Sequence, residues 1–234
     1  MKYLFYLLML VLFASCSVFK KTNTESTAAN LPHYVKIETD SGTMILRLSN
    51  KTPQTTANFL KLMKEHFYDG LLFHRVVKGF MIQGGDPDSK NATPGQVLGE
   101  GGLKYTIPAE FDTSLFHQKG AIAMARESDD KNPKKASSST QFYIVEGRTF
   151  TDNEMKKIEE KFNILIPESH REVYRSVGGA PFLDMNYTVF GQVIDGLGVI
   201  DKIAHAVKDE HSRPLTDIHM KILIMKKKEY RKYQ

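Results

Sequence analysis

The sequence predicts a mainly β domain of many short strands, with two helices in the body of the chain and a helical hairpin near residues 150 to 180. Three observations lead there. Apolar residues alternate on either side of a tight Asp40-Ser41-Gly42 turn. Short apolar runs recur between stretches rich in Gly, Pro, Asn and Asp. Helical spacing is confined to a few segments.

Val35 and Ile37, then Met44, Leu46 and Leu48, make His33 to Ser49 a hairpin, because the side-chain period of a strand is two. Thr52-Pro53 supplies a helix cap and a proline at the first helical position. Ala57, Leu60 and Met63 keep a helical period until Asp69-Gly70 stops it. Phe73 to Asp86 follows as an extended run, and Asp86 to Gly102 reads as loop. Strands resume around Gly120–Met124, Gln141–Val145 and Thr188–Val193, with Ala180–Leu183 a turn before the last of these. Val199 to His205 reads as a helix and Lys221 to Met225 as a closing strand. Thr151-Asp152-Asn153-Glu154 forms a capping box ahead of Met155, Ile158 and Phe162. Pro167 then starts a second helix through Val173 and Val177, ended by Gly178-Gly179.

The extended run carries the chemistry. Arg75 and Gln83 stand eight residues apart among apolar neighbours, an even separation that puts both on one strand face with Met81 beside them. A cation, an amide and apolar walls converge there without a nucleophile or an acid–base pair. That set is poorly equipped for hydrolysis and suits a reaction that breaks no bond, such as rotation about a peptide bond. No metal or other cofactor is expected. The loop lacks the Gly-Lys-Ser/Thr end of a phosphate loop. Asp86-x-Asp88 fails as a calcium loop, because Lys90 falls where an oxygen ligand is required and Asn91 where glycine is required.

The Phe73–Asp86 run resembles the signature of the cyclophilin family of peptidyl-prolyl isomerases. Gly120–Ala125, Ser139–Ile144, Phe182-Leu183-Asp184 and Val189–Val193 follow in that family's order, over roughly residues 33 to 226. The resemblance implies a closed antiparallel eight-stranded barrel capped by two helices, to which the hairpin at 150 to 180 is an insertion. It implies a prolyl isomerase acting on proline-containing polypeptides, with Arg75 as the catalytic residue and a monomer as the default state. Phe80, Met81, Tyr143 and Leu183 would form an apolar cup for the proline ring, and Gln83, with Gln141 near it, would bond the substrate backbone. Ala125 and Arg126 would also contact substrate, Arg126 through its backbone. Tyr187 stands where a histidine is common and Tyr143 where phenylalanine is, so two hydroxyls are expected to make the pocket more polar. Phe182 replaces a tryptophan that contacts cyclosporin in many eukaryotic members, which implies weak cyclosporin binding. His74 reads as structural. The competing readings are a proline-peptide binding module with incidental turnover and a chaperone acting through the helical hairpin.

The 234 residues, 41% hydrophobic, fit one ordinary domain (31–226) plus appendages, and the formal charge of +5 is mild. Lys226-Lys227-Lys228 and Arg231-Lys232 make 227–234 a solvated basic tail, with anionic lipid as the alternative partner. It contains no recognisable nucleic-acid reading module, so no nucleic acid is expected. After Lys2, Tyr3 to Phe19 are uncharged, and Lys20-Lys21 follow. An uncleaved anchor would leave those lysines on the far side, against the positive-inside bias, so 1–15 read as a signal peptide. Cys16, the only cysteine, follows Phe13-Ala14-Ser15 in a pattern that resembles a bacterial lipobox, with Phe13 where leucine is usual. A lipidated Cys16 and a flexible tether over 16–30 would place the domain in the bacterial cell envelope, in the periplasm or at the outer surface. No intramolecular disulfide is possible.

Overall fold

The computed structural model describes residues 33–234, so the expected signal peptide, the lipidation at Cys16 and the tether over 16–30 lie outside the described residues. The first hairpin forms as expected, β1 (Tyr34–Thr39) pairing with β2 (Gly42–Leu48). Helix α1 (Pro53–Lys64) follows, then β3 (Leu71–Leu72), β4 (Arg75–Val77) and β5 (Met81–Gly84). A 3-10 turn at Pro87–Asn91 interrupts the loop that comes next. Strands β6 (Thr106–Ile107), β7 (Ala121–Met124), β8 (Ser137–Ser138) and β9 (Phe142–Val145) lead into the helical pair α2 (Asp152–Phe162) and α3 (Glu168–Ser176). The chain ends with β10 (Val189–Asp195), α4 (Leu197–Ala204), β11 (His219–Ile224) and α5 (Lys227–Tyr230).

The expected closed eight-stranded barrel is corrected. Nine strands form one open, strongly curled sheet in the order β3-β11-β1-β2-β10-β7-β9-β5-β4, and β6 pairs separately with β8. The reason lies at the two edges. β3 and β4 belong to one extended run, whose start pairs with β11 and whose end pairs with β5. At the seam the backbone bonds to connecting loops instead of another strand: Val76 N–H donates to the Ser212 carbonyl and Phe73 N–H to that of Ile218. Both edge strands are also very short, which limits the ladder they expose.

Alternation along the strands sorts two apolar layers. Ile82, Ile122 and Ile144 face the main core, where Phe59 of α1 packs edge-on against Phe142 at 5.5 Å and Phe190 at 5.1 Å. Met81, Ala123, Tyr143 and Val145 face the other side and form a second cluster with Leu183 and Val189. A third cluster, with Met155, Ile166 and Tyr174, lies under the helical pair.

Two ends differ from expectation. Thr52 precedes α1 but its side chain makes no capping bond; the Glu110 carboxylate instead accepts from Gln54 N–H at 3.0 Å and Thr55 N–H at 2.8 Å. An anion at the positive end of the helix dipole does the work of a cap from a distant loop. The basic tail is not simply solvated either. It forms α5 and a 3-10 turn, Tyr230 stacks on Tyr34 at 4.6 Å, and the Tyr233 hydroxyl bonds Asp195 at 2.7 Å.

Candidate functional site

Strand register assembles the site. Arg75 lies opposite Gln83, Gln83 opposite Tyr143, and Tyr143 opposite Ala123, a row across β4, β5, β9 and β7. Residues directly opposite on neighbouring strands share a face, so these side chains emerge on the side away from the main core. The turn after β5 needs glycine: Gly85 has φ +91°, and a Cβ there would come within 2.3 Å of the Thr140 carbonyl.

A directed hydrogen-bond chain runs along this row. Arg75 Nη1 donates to Gln83 Oε1 at 3.1 Å and Gln83 Nε2 donates to Gln141 Oε1 at 2.9 Å. Gln141 Nε2 in turn donates to the carbonyls of Gly99 at 2.8 Å and Gly101 at 2.7 Å. A guanidinium only donates and carbonyls only accept, so both amides are oriented head to tail. Arg75 has no carboxylate partner among the described residues, and its Nη1 also lies 4.0 Å from the Met81 sulfur. Partial desolvation lowers its pKa from the ordinary value, with Tyr187 acting in the opposite direction. An arginine starts so high that it stays charged.

Beside the guanidinium opens a pocket of about 220 Å³, walled by Phe80, Met81, Tyr143, Leu183 and Tyr187. Gln83 and Arg126 make its polar side and Ala125 completes the lining. The structure therefore brings nine of the ten residues expected to act on substrate to one pocket, and Gln141 stands one hydrogen bond behind it through Gln83. A second chamber of about 500 Å³ adjoins, sharing Gln83, Ala125 and Arg126 with the first. The Arg126 side chain is turned aside: its guanidinium lies 4.5 Å over the Tyr187 ring and pairs with Asp129 at 2.6 Å. Its backbone N–H and C=O have no partner among the described residues.

One expectation about polarity is corrected. The Tyr143 hydroxyl faces away from the pocket, 2.9 Å from His117 Nε2. His117 Nδ1 lies 2.8 Å from Asp184 Oδ1, and Asp184 also accepts from the Tyr174 hydroxyl at 2.7 Å and from His117 N–H at 2.9 Å. A carboxylate accepts from all three donors, so His117 carries a hydrogen on Nδ1, and its Nε2 shares a hydrogen bond with the Tyr143 hydroxyl. Burial raises the Tyr143 pKa well above its ordinary value, with Tyr187 and Asp184 adding to the effect, so the hydroxyl keeps its proton. Sequence reasoning missed His117 and Tyr174, and gave Asp184 no role. Their only sequence signal was Asp184 following Leu183; the histidine stands alone in an unpatterned stretch.

The family model of cyclophilin-type peptidyl-prolyl cis-trans isomerases matches residues 34–225. A Staphylococcus aureus (strain USA300) protein named as a peptidyl-prolyl cis-trans isomerase is 32% identical over 185 residues, covering 79% of this chain and 87% of that one. A Streptococcus pyogenes protein named as a bifunctional phosphatase/peptidyl-prolyl cis-trans isomerase is 35% identical over 187 residues, 37% of its length. A Cryptosporidium parvum cyclophilin-type isomerase shares the fold at TM-score 0.62 and 24% identity, over 84% of this chain and 99% of that one. Its structure in the presence of the dipeptide Ala-Pro superposes at TM-score 0.60 with 26% identity, over 82% of this chain and 99% of that one.

Proposed function

This chain belongs to the cyclophilin-type peptidyl-prolyl cis-trans isomerases, and we propose that Arg75 drives rotation of an Xaa-Pro bond whose proline ring sits among Phe80, Met81, Tyr143 and Leu183. The observation that carries this reading is the placement of Arg75: a guanidinium without an acidic partner among the described residues, steered by Gln83, beside the apolar wall of a small pocket. The Ala-Pro dipeptide used with the Cryptosporidium neighbour supports a proline-containing substrate.

The physical task is to lower a barrier of about 18–20 kcal/mol that arises from amide conjugation. In the planar ground state the prolyl nitrogen has no lone pair to offer. In the twisted state conjugation is lost, the nitrogen becomes pyramidal, and a donor aimed at it is rewarded only there. Arg75 supplies that donor in a rigid fork. The second amide hydrogen of Gln83 and the Arg126 backbone, which has no partner among the described residues, are suited to fix the substrate chain on either side. A rate factor of about 10⁵ requires about 7 kcal/mol from such effects together.

Removing the guanidinium takes away one preorganised donor, for which a loss of about 10²–10³ in kcat/KM is expected. The test is catalysed isomerisation of a short Xaa-Pro peptide by the wild-type protein and by Arg75→Ala. No acceleration by folded wild-type protein would overturn the reading. An equally active Arg75→Ala would move the chemistry to another residue.

The working place is the cell envelope, with lipid on Cys16 and residues 16–30 as a tether, so that the clients are exported proteins refolding near a membrane. Mass spectrometry of the mature N-terminus tests this; a Cys16→Ser chain that stays as firmly membrane-bound as the wild type would refute it.

A further inference from the structure

The C-terminal end of α2 lies beside the proline pocket, where Phe162 meets Phe182. Lys157 and Lys161, and likewise Ile158 and Phe162, stand four residues apart and so lie together on one side of α2. This helix fully buries only Met155, whereas Phe162 is 41% exposed. The Phe162 ring lies 6.0 Å from that of Phe182, which lies 5.4 Å from that of Phe80 on the pocket wall. Three rings thus run in a row from the proline cup to the helix. Phe182 and Phe162 border an open groove of about 380 Å³ whose end at Gly79 is left clear by the missing side chain.

Charge is one-sided in this groove. Its lining contains Lys157, Lys161 and Arg148 and no carboxylate. Arg148 is paired with Glu154 at 2.9 Å, but neither lysine makes an ion pair among the described residues. The wall is also firmly seated. Tyr174 of α3 bonds Asp184, the residue after Leu183 of the cup, and Gly179 forms bridges to Gln118 and Arg148. A Cβ on Gly179 would come within 2.2 Å of the His117 carbonyl and 2.6 Å of the Tyr174 ring, so the close approach depends on glycine. The Arg148 and Phe182 side of the groove, held this way, is preorganised and loses little freedom when occupied.

We propose that this groove is a second substrate subsite, which selects polypeptides carrying an aromatic residue next to an acidic one at a short distance from the proline. The inference rests on the isomerase reading and names part of its substrate class. The ring-to-ring steps correspond to about three residues of extended chain, which sets the spacing. The aromatic side chain continues the stack of Phe80, Phe182 and Phe162, and the carboxylate meets Lys157 and Lys161.

The test compares kcat/KM for a short Ala-Pro peptide with that for peptides extended by Phe-Glu about three residues from the proline, on the N-terminal or the C-terminal side. Full-length wild-type protein, Phe162→Ala and Lys157→Glu/Lys161→Glu are measured together, with Phe-Lys peptides as the charge control. Wild-type protein is expected to favour one Phe-Glu peptide by roughly tenfold, the combined scale of one aromatic contact and one exposed ion pair. Phe162→Ala should erase most of that advantage, and the charge reversal should turn the preference toward Phe-Lys. The short peptide does not reach α2 and should be turned over equally by all three. Equal kcat/KM for short and extended peptides in the wild type, or an advantage that survives both variants, would overturn the subsite alone. A wild-type protein inactive on the short peptide would overturn the isomerase reading and the subsite with it.

Discussion

His74 sits between Phe73 of the core and Arg75 of the pocket wall, 2% exposed, with neither ring nitrogen bonded among the described residues. Burial lowers its pKa from 6.5 to about 4, opposed by the nearby Asp86 carboxylate and the Leu72 backbone and reinforced by Arg75 and Arg213. In the unfolded chain a histidine titrates near its ordinary value. Below that value the unfolded chain takes up a proton that the folded protein refuses. Stability is therefore full above pH 6.5, falls as pH drops from 6.5 toward about 4, and levels off beneath. At 1.36 kcal/mol per pH unit the whole effect is about 3 kcal/mol, of which about 2 kcal/mol is lost between pH 7 and pH 5. His74→Leu keeps similar bulk and removes both unpaired nitrogens and the titration. Urea unfolding of the wild type and the variant at pH 7, 6 and 5 isolates the contribution, because other groups titrate alike in both. The variant should match or exceed the wild type at pH 7 and lose about 2 kcal/mol less by pH 5. Parallel losses in the two proteins would refute the assignment of a buried neutral imidazole.

Tyr143→Phe leaves His117 Nε2 buried without its hydrogen-bond partner, so it should lower stability by about 1–3 kcal/mol in chemical unfolding while keeping kcat/KM within a few-fold, since the ring still walls the pocket. Glu110→Ala unpairs two N–H groups at the start of α1, and a loss of about 1–2 kcal/mol is expected, with a lower Tm and unchanged kcat/KM. With Phe182 in place of an indole, cyclosporin should inhibit weakly; a nanomolar Kd by calorimetry would refute that.

Much of the site was legible because it depends on parity. The even separation of Arg75 and Gln83 puts them on one face of any extended chain, but the path between them is a hairpin: they face each other across β4 and β5. The same-face expectation therefore holds for a different geometric reason than spacing along a single strand. The capping box at Thr151 and Glu154 and the stop at Gly178-Gly179 were equally readable, since their partners lie within a few residues. The His117–Asp184 contact spans 67 residues and follows no local period, so nothing near either residue announces it.

By itself the sequence determined what short-range physics controls: strand alternation, helix starts and stops, the glycines at tight turns, and the family signature around Arg75. Tertiary structure decided the rest. It left the curled sheet open at β3 and β4, replaced the Thr52 cap with Glu110, turned the Tyr143 hydroxyl inward to His117, and docked the C-terminal tail on Tyr34. It also brought Phe162 up to Phe182 and the proline pocket. Each of these depends on which distant segments meet, and that is set by sheet register and the packing of whole elements, quantities with no counterpart in a local pattern of residues.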